Sequence, residues 1–140
     1  KWLIRGAAVV LAVVSGLWLL PEKKDIIDWR DYDRELIQKA VADNRTVLIK
    51  FTADWCTNCK ILESRVFRDP EVADFLKDKN ILPVKADTTL ADFPASIDLH
   101  GVYGIPGTVP MTLLLLPGRA DDPVRLSGIY DKQELFEAIK

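Results

Sequence analysis

Histidine and cysteine are scarce in this chain: His100, Cys56 and Cys59 are all that 140 residues contain. That count leaves no ordinary structural zinc site, which takes four ligands, mostly cysteine and histidine. A zinc ion here would need unusual carboxylate ligands or a second chain. With no cysteine or acidic motif at ligand spacing, His100 reads as a surface or helix-end residue. Haem attachment is excluded too, because it needs histidine directly after the second cysteine, and Lys60 stands there. A basic excess is also missing. The net charge is −2, and a chain without a positive footprint is not a nucleic-acid binder. Low-complexity tracts and internal repeats are absent. What is left is a globular composition, 49% hydrophobic and 29% charged, of a length that suits one domain and an appendage.

The two cysteines are placed for chemistry. They stand two residues apart in Phe51-Thr-Ala-Asp-Trp-Cys-Thr-Asn-Cys-Lys60, directly after the apolar run Val47-Leu-Ile. A strand leading into a Cys-x-x-Cys loop that opens a helix moves electron pairs as dithiol and disulfide. Cys56 falls at the helix start, where unpaired N–H groups and the helix dipole favour thiolate over thiol. A thiol so placed has its pKa lowered from about 8.5 to roughly 7 or below. Cys59, one turn further in, is positioned to attack a mixed disulfide formed by Cys56. A purely structural bridge is the weaker explanation, since it closes a very short loop and constrains little of the unfolded chain.

Apolar residues are unevenly distributed. Trp2 to Leu20 holds one charge, Arg5, and as a helix spans about 28 Å, close to the roughly 30 Å of a bilayer's hydrocarbon core. Arg5 lies near one end, where it can snorkel, and Trp2 and Trp18 fall where aromatic anchors are common. Pro21 stops the segment. The expectation is a transmembrane helix over residues 1–21. A secretory signal peptide and a buried soluble helix are the alternatives, the first lacking a convincing small-x-small cleavage site. Each of the two membrane-linked readings places the remainder outside the cytoplasm, in an oxidising setting. Because the chain begins with lysine, it is read as the tail of a longer membrane protein.

Residues 22–30 read as a linker, with Ile26, Ile27 and Trp29 available to dock onto a domain covering 31–140. The pattern predicts a helix over 31–43, a strand over 46–52, the active-site helix over 56–66 and a helix over 71–78 capped by Asp69 with Pro70 at its first position. A strand over 81–86, a loop over 87–94 and a weaker packing helix over 95–102 follow. The apolar run 111–116 suits a strand buried on both faces, 124–127 pairs beside it, and 132–139 closes as a helix. The acids between Asp87 and Asp98 read as a solvated loop. Strands alternating with helices, then a hairpin and helix, predict an α/β fold with a mixed sheet flanked by helices.

These features resemble the thioredoxin superfamily over residues 31–140, on the strength of Phe51–Lys60 and of Val109-Pro110 preceding an apolar strand. Ala53-Asp-Trp-Cys-x-x-Cys-Lys60, Glu63 four residues beyond the second cysteine and the upstream apolar span are most similar to the C-terminal periplasmic domain of the DsbD thiol:disulfide interchange family. The resemblance implies a thioredoxin-like fold and a protein-disulfide reductase. It implies Cys56 as the exposed attacking thiol, Cys59 as the buried resolving thiol, and Trp55 shielding one side of the pair. Thr57 and Asn58 between the cysteines would tune the potential. Pro110 after Val109 would be the cis-proline that presents a backbone edge to a partner, the alternative being a trans turn proline, while Ile105-Pro106-Gly107 reads as a turn. Asp54 reads as a loop-stabilising residue. No cofactor beyond the Cys56–Cys59 disulfide is implied.

One position departs from the pattern. Many superfamily members bury a carboxylate six residues before the first cysteine, and Lys50 occupies that place. A buried lysine either turns neutral or stabilises a nearby thiolate, unless its stem snorkels to water. Glu63, on the same helix face as Cys59, is the substitute candidate for managing the Cys59 proton, the alternative being a solvated surface glutamate. The implied partners are a membrane-embedded dithiol donor, expected in the same full-length chain, and periplasmic protein disulfides. The implied setting is the bacterial inner membrane, contacted through residues 2–20, with the domain in the periplasm and a role in cytochrome c maturation or disulfide isomerisation. A membrane-anchored oxidase or isomerase, and a non-catalytic adaptor, stay open beside it.

Overall fold

The computed structural model describes Gly6 and residues 24–140. The span expected over 1–21 lies outside them apart from Gly6; among the described residues no helix is long and apolar enough to cross a membrane.

Val47–Thr52 (β2) is the spine of the fold. Its alternation sends Val47, Ile49 and Phe51 into one core and Leu48 into another, as the period of two requires. Leu82–Asp87 (β3) runs parallel to it, and Met111–Leu115 (β4) runs antiparallel on its other side. Val124–Ser127 (β5) pairs antiparallel with β4 at one edge. At the opposite edge Arg30–Asp31 (β1) pairs in parallel with Val84 and Lys85. The order β1-β3-β2-β4-β5 is a mixed sheet. All of β4 is buried, in keeping with its unbroken apolar run.

One face of the sheet is covered by Arg34–Ala42 (α1) and Pro94–Gly101 (α4), through Ile37, Ala40, Ala95 and Leu99. The other is covered by the active-site helix, by Pro70–Asp78 (α3) and by Lys132–Ile139 (α5), through Leu62, Val66, Val72, Leu76, Leu135 and Phe136. Asp33, Asp69 and Asp131 accept N–H bonds at the starts of α1, α3 and α5. Both α1 and α3 are followed by a left-handed asparagine, Asn44 and Asn80, a conformation asparagine tolerates better than most residues.

Ile27 and Trp29 of the expected linker dock onto the domain: Ile27 is buried and Trp29 meets Phe67 edge-on at 5.2 Å between ring centroids. Two expectations need correcting. The first helix starts at Arg34, not at residue 31, because Asp31 is taken by the sheet and Asp33 caps the helix. Asp98 belongs to no solvated loop. It lies buried in α4, where its carboxylate accepts the Tyr32 hydroxyl at 2.7 Å and the Arg34 guanidinium.

Candidate active site

Strand β2 delivers the chain to Thr52, and a turn over Ala53–Trp55 follows, closed by the Cys56 N–H donating to the Ala53 carbonyl at 3.1 Å. Cys56 then caps the helix Thr57–Leu62 (α2), its sulfur accepting the Cys59 N–H at 3.1 Å. The two cysteines are joined as a disulfide with Cα atoms 5.3 Å apart. The same N–H that touches Cys56 Sγ in the bridge is available to a Cys56 thiolate after reduction, and such donation lowers a thiol's pKa. Cys56, expected to be the exposed member, is only 5% exposed against 6% for Cys59. The disulfide draws both sulfurs against Ala53 and Val109, so solvent area does not separate attacker from resolver. Cys56 caps the helix and Cys59 lies within it.

The helix does not run as a regular α-helix to residue 66. It widens after Leu62 into a π-helical turn, Glu63–Phe67, a form that gathers at functional sites. Glu63 donates its N–H to the Cys59 carbonyl, which places its side chain one turn below Cys59. It is not a free surface carboxylate: Glu63 Oε2 is ion-paired with Lys50 Nζ. Lys50 does not snorkel. It is 4% exposed and reaches from the Leu48 face of β2 toward the π-turn. Burial pushes its ammonium below the ordinary lysine range, with Glu63 opposing that shift. The Trp29 ring lies across Lys50 Nζ at 3.9 Å and the Phe67 ring at 4.9 Å.

Trp55 stands on the open side. It is 64% exposed, and its indole N–H donates to the Thr89 carbonyl at 3.3 Å. Thr89 Oγ1 also accepts the Asp54 N–H at 3.0 Å. The Asp54–Trp55 turn is therefore tied down through its backbone and through Thr89, not by the Asp54 carboxylate. Asp87 Oδ1 in turn accepts the Thr89 N–H at 2.8 Å. Thr57, Asn58 and Lys60 are exposed around the pair. The Val109–Pro110 bond is cis, and the buried Pro110 carbonyl accepts the Gly128 N–H at 3.0 Å. Pro106 forms a turn, as expected, with the Thr108 hydroxyl donating to its carbonyl at 2.8 Å. His100 is exposed in the last turn of α4.

A cleft of about 660 Å³ opens beside Cys59; Lys60 and Glu63 line it with Asp54, Lys85 and Asp25. The structure brings Val109, next to the cis Pro110, against Cys56 and Cys59, and places the Lys50–Glu63 pair one turn below Cys59, while Thr57, Asn58 and Trp55 are exposed. Asp25 and Thr89 escaped the sequence reading, and Trp29 entered it only as a residue available to dock onto the domain. Among the described residues no cluster of histidine, cysteine and carboxylates has metal-binding geometry.

Residues 10–131 match the family Thioredox_DsbH, described as a protein of unknown function, DUF255. Over 101 residues the chain is 35% identical to the thiol:disulfide interchange protein DsbD of Pseudomonas fluorescens, covering 72% of this chain and 17% of the relative. The chain thus spans about one-sixth of the length of that relative. Among solved structures, a thioredoxin from Thermus thermophilus superposes with a TM-score of 0.60 at 25% identity, over 79% of this chain and 84% of the thioredoxin. The oxidised DsbD C-terminal domain of Neisseria meningitidis superposes with a TM-score of 0.52 at 24% identity, over 75% of this chain and 91% of that domain. With its Cys-x-x-Cys pair capping α2 in a thioredoxin-like fold, the chain belongs to the Thioredox_DsbH family and carries the site of a thiol–disulfide oxidoreductase.

Proposed function

We propose that this domain passes reducing equivalents from a membrane-embedded dithiol to protein disulfides on the periplasmic side of a bacterial inner membrane, as the likeness to DsbD suggests. The observation that carries the reading is the Cys56–Cys59 disulfide at the start of α2, its Cys56 sulfur already accepting a backbone N–H.

The cycle begins with the dithiol. Cys56 thiolate attacks one sulfur of a partner disulfide, which breaks that bond, forms an intermolecular one and releases a partner thiolate. Cys59 loses its proton to Glu63 and attacks Cys56 Sγ. The intermolecular bond breaks, and the two partner sulfurs take up the proton released through Glu63 and one from solvent. The partner leaves as a dithiol, and the domain is left as the Cys56–Cys59 disulfide. Two electrons have moved to the partner, and an upstream dithiol restores them by the same exchange in reverse. Val109 packs against the sulfurs, and with the Pro110 carbonyl taken by Gly128 it is the residue that turns a backbone edge toward an arriving strand.

The test is trapping. In the Cys59→Ser chain the second attack is lost, so mixing with a disulfide-bonded test protein should accumulate a covalent adduct that reductant dissolves. A folded Cys59→Ser chain that forms no adduct sinks the proposal. Direction is read from the potential: about −270 mV, as in thioredoxin, marks a reductase, whereas about −120 mV marks an oxidant.

A further inference from the structure

We infer that Lys50 and Trp29 are positioning residues of the redox centre: Trp29 roofs the Lys50 ammonium against water, and Lys50, paired with Glu63, couples a proton to the oxidation state of Cys56–Cys59. This rests on the oxidoreductase reading and deepens it.

The geometry carries the inference from three directions. Lys50 Nζ is held between the Glu63 carboxylate and the face of Trp29, and Glu63 hangs one turn below Cys59 in the same cleft. The roof is a separate segment, ahead of β1, fixed by Ile27 in the core and by the edge contact of Trp29 with Phe67. Finally, the Trp29 indole N–H is buried and has no hydrogen-bond partner among the described residues. A buried donor without a partner costs about 1–3 kcal/mol. Phenylalanine would fill the place without that cost, so the structure tolerates the indole for something else. The indole face attracts an ammonium more strongly than any other ring, and here it meets one.

Other charges facing Lys50 are few. Lys85, its neighbour on β3, opposes the ammonium, and Asp25 favours it. Across β4, Thr112 bonds the Tyr130 hydroxyl at 2.6 Å, and burial pushes Tyr130 above the ordinary phenol range, so it stays neutral. Glu63 is the direct partner. Reduction breaks the S–S bond, takes two electrons from a partner dithiol that becomes a disulfide, and leaves anionic character on a cysteine sulfur. That negative charge favours the protonated lysine, so Lys50 holds its proton to a higher pH in the dithiol than in the disulfide. In the pH window between those two values, reduction takes up one further proton from solvent, onto the Lys50 amine.

The test is the reduction potential of the whole chain as a function of pH, measured against a dithiothreitol redox buffer with the thiols trapped by alkylation. In the wild-type chain the potential should fall more steeply across a window below the ordinary lysine range. The extra slope is about 30 mV per pH unit, the tenfold step of a two-electron couple. Lys50→Met, which suits its apolar surroundings, should abolish the window. Trp29→Phe should keep it, and Trp29→Ala, by admitting water, should move it to higher pH. Identical profiles for wild type and Lys50→Met overturn the inference, and so does a window that Trp29→Ala leaves in place. If Trp29→Ala does not fold, Lys50→Met and Trp29→Phe decide alone. A wild-type chain that dithiothreitol cannot reduce overturns the oxidoreductase reading itself, and this inference with it.

Discussion

The buried carboxylate of Asp98 on α4 is gripped by the guanidinium of Arg34 in the first turn of α1, with the Tyr32 hydroxyl donating to the same group at 2.7 Å. This triad joins the two helices that cover one face of the sheet, and it also binds β1 to them through Tyr32. Replacing Asp98 with alanine strands the tyrosine hydroxyl and removes a charge-assisted bond, an expected loss of about 2 kcal/mol in urea unfolding. The pH dependence has a definite sign. The Arg34 hydrogen bond holds the Asp98 carboxyl below the usual carboxylate range. Its stabilisation is therefore fully present above the unfolded value of about 3.9, and is lost as pH falls through the lower folded value. Acid titration of stability should show this loss in the wild type and not in Asp98→Asn.

Much of the architecture was written in local patterns. The apolar runs of β2 and β4, the Asp69-Pro70 cap and the final helix all sit where periodicity and capping place them, because each is settled by short-range sterics and one buried face. The cysteine pair was legible for the same reason: strand, loop and helix start lie within ten consecutive residues. Lys50 was readable only as a departure. Whether it pointed to water or to Glu63 depended on the alternation of β2 and on a π-turn, and no local signal announces a π-turn. Asp98, Thr89 and Trp29 act through contacts spanning 64, 34 and more than 20 residues of chain, and such pairings leave no periodic mark.

Thr89 holds the rim of the site. Its carbonyl accepts the Trp55 indole N–H and its hydroxyl accepts the Asp54 N–H. Thr89→Ala keeps the carbonyl and deletes the hydroxyl, freeing the turn that leads into Cys56. Global stability should change by about 1 kcal/mol or less, the worth of one partly exposed hydrogen bond. The rate of disulfide exchange with a test protein should fall several-fold. An unchanged rate would mean that the turn is held without Thr89.

Cys56 and Cys59 should differ sharply in reactivity once reduced, although the disulfide buries them equally. The Cys59 N–H points at Cys56 Sγ, and the helix start favours a thiolate there. Alkylation by iodoacetamide between about pH 6 and pH 8 should label Cys56 first, by tenfold or more, with a rate profile midpoint below the ordinary thiol value of about 8.5. Mass spectrometry of singly labelled protein assigns the site. Equal labelling would remove the distinction between attacking and resolving thiol.

The Thr112–Tyr130 hydrogen bond, 2.6 Å and buried between β4 and the segment leading into α5, offers a test of how polar pairs are tolerated beneath the active-site helix. Thr112→Val alone leaves the tyrosine hydroxyl buried without its partner, and Tyr130→Phe alone leaves the threonine hydroxyl likewise. Each should cost about 1–3 kcal/mol, the penalty of an orphaned buried polar group. The double variant removes both groups, replaces them with near-isosteric apolar atoms, and should recover most of that loss. A double-mutant cycle by urea unfolding would then give a coupling energy approaching the sum of the two single losses. Additive losses would mean instead that each hydroxyl finds a second partner, and that the pair is not the closed unit its geometry describes.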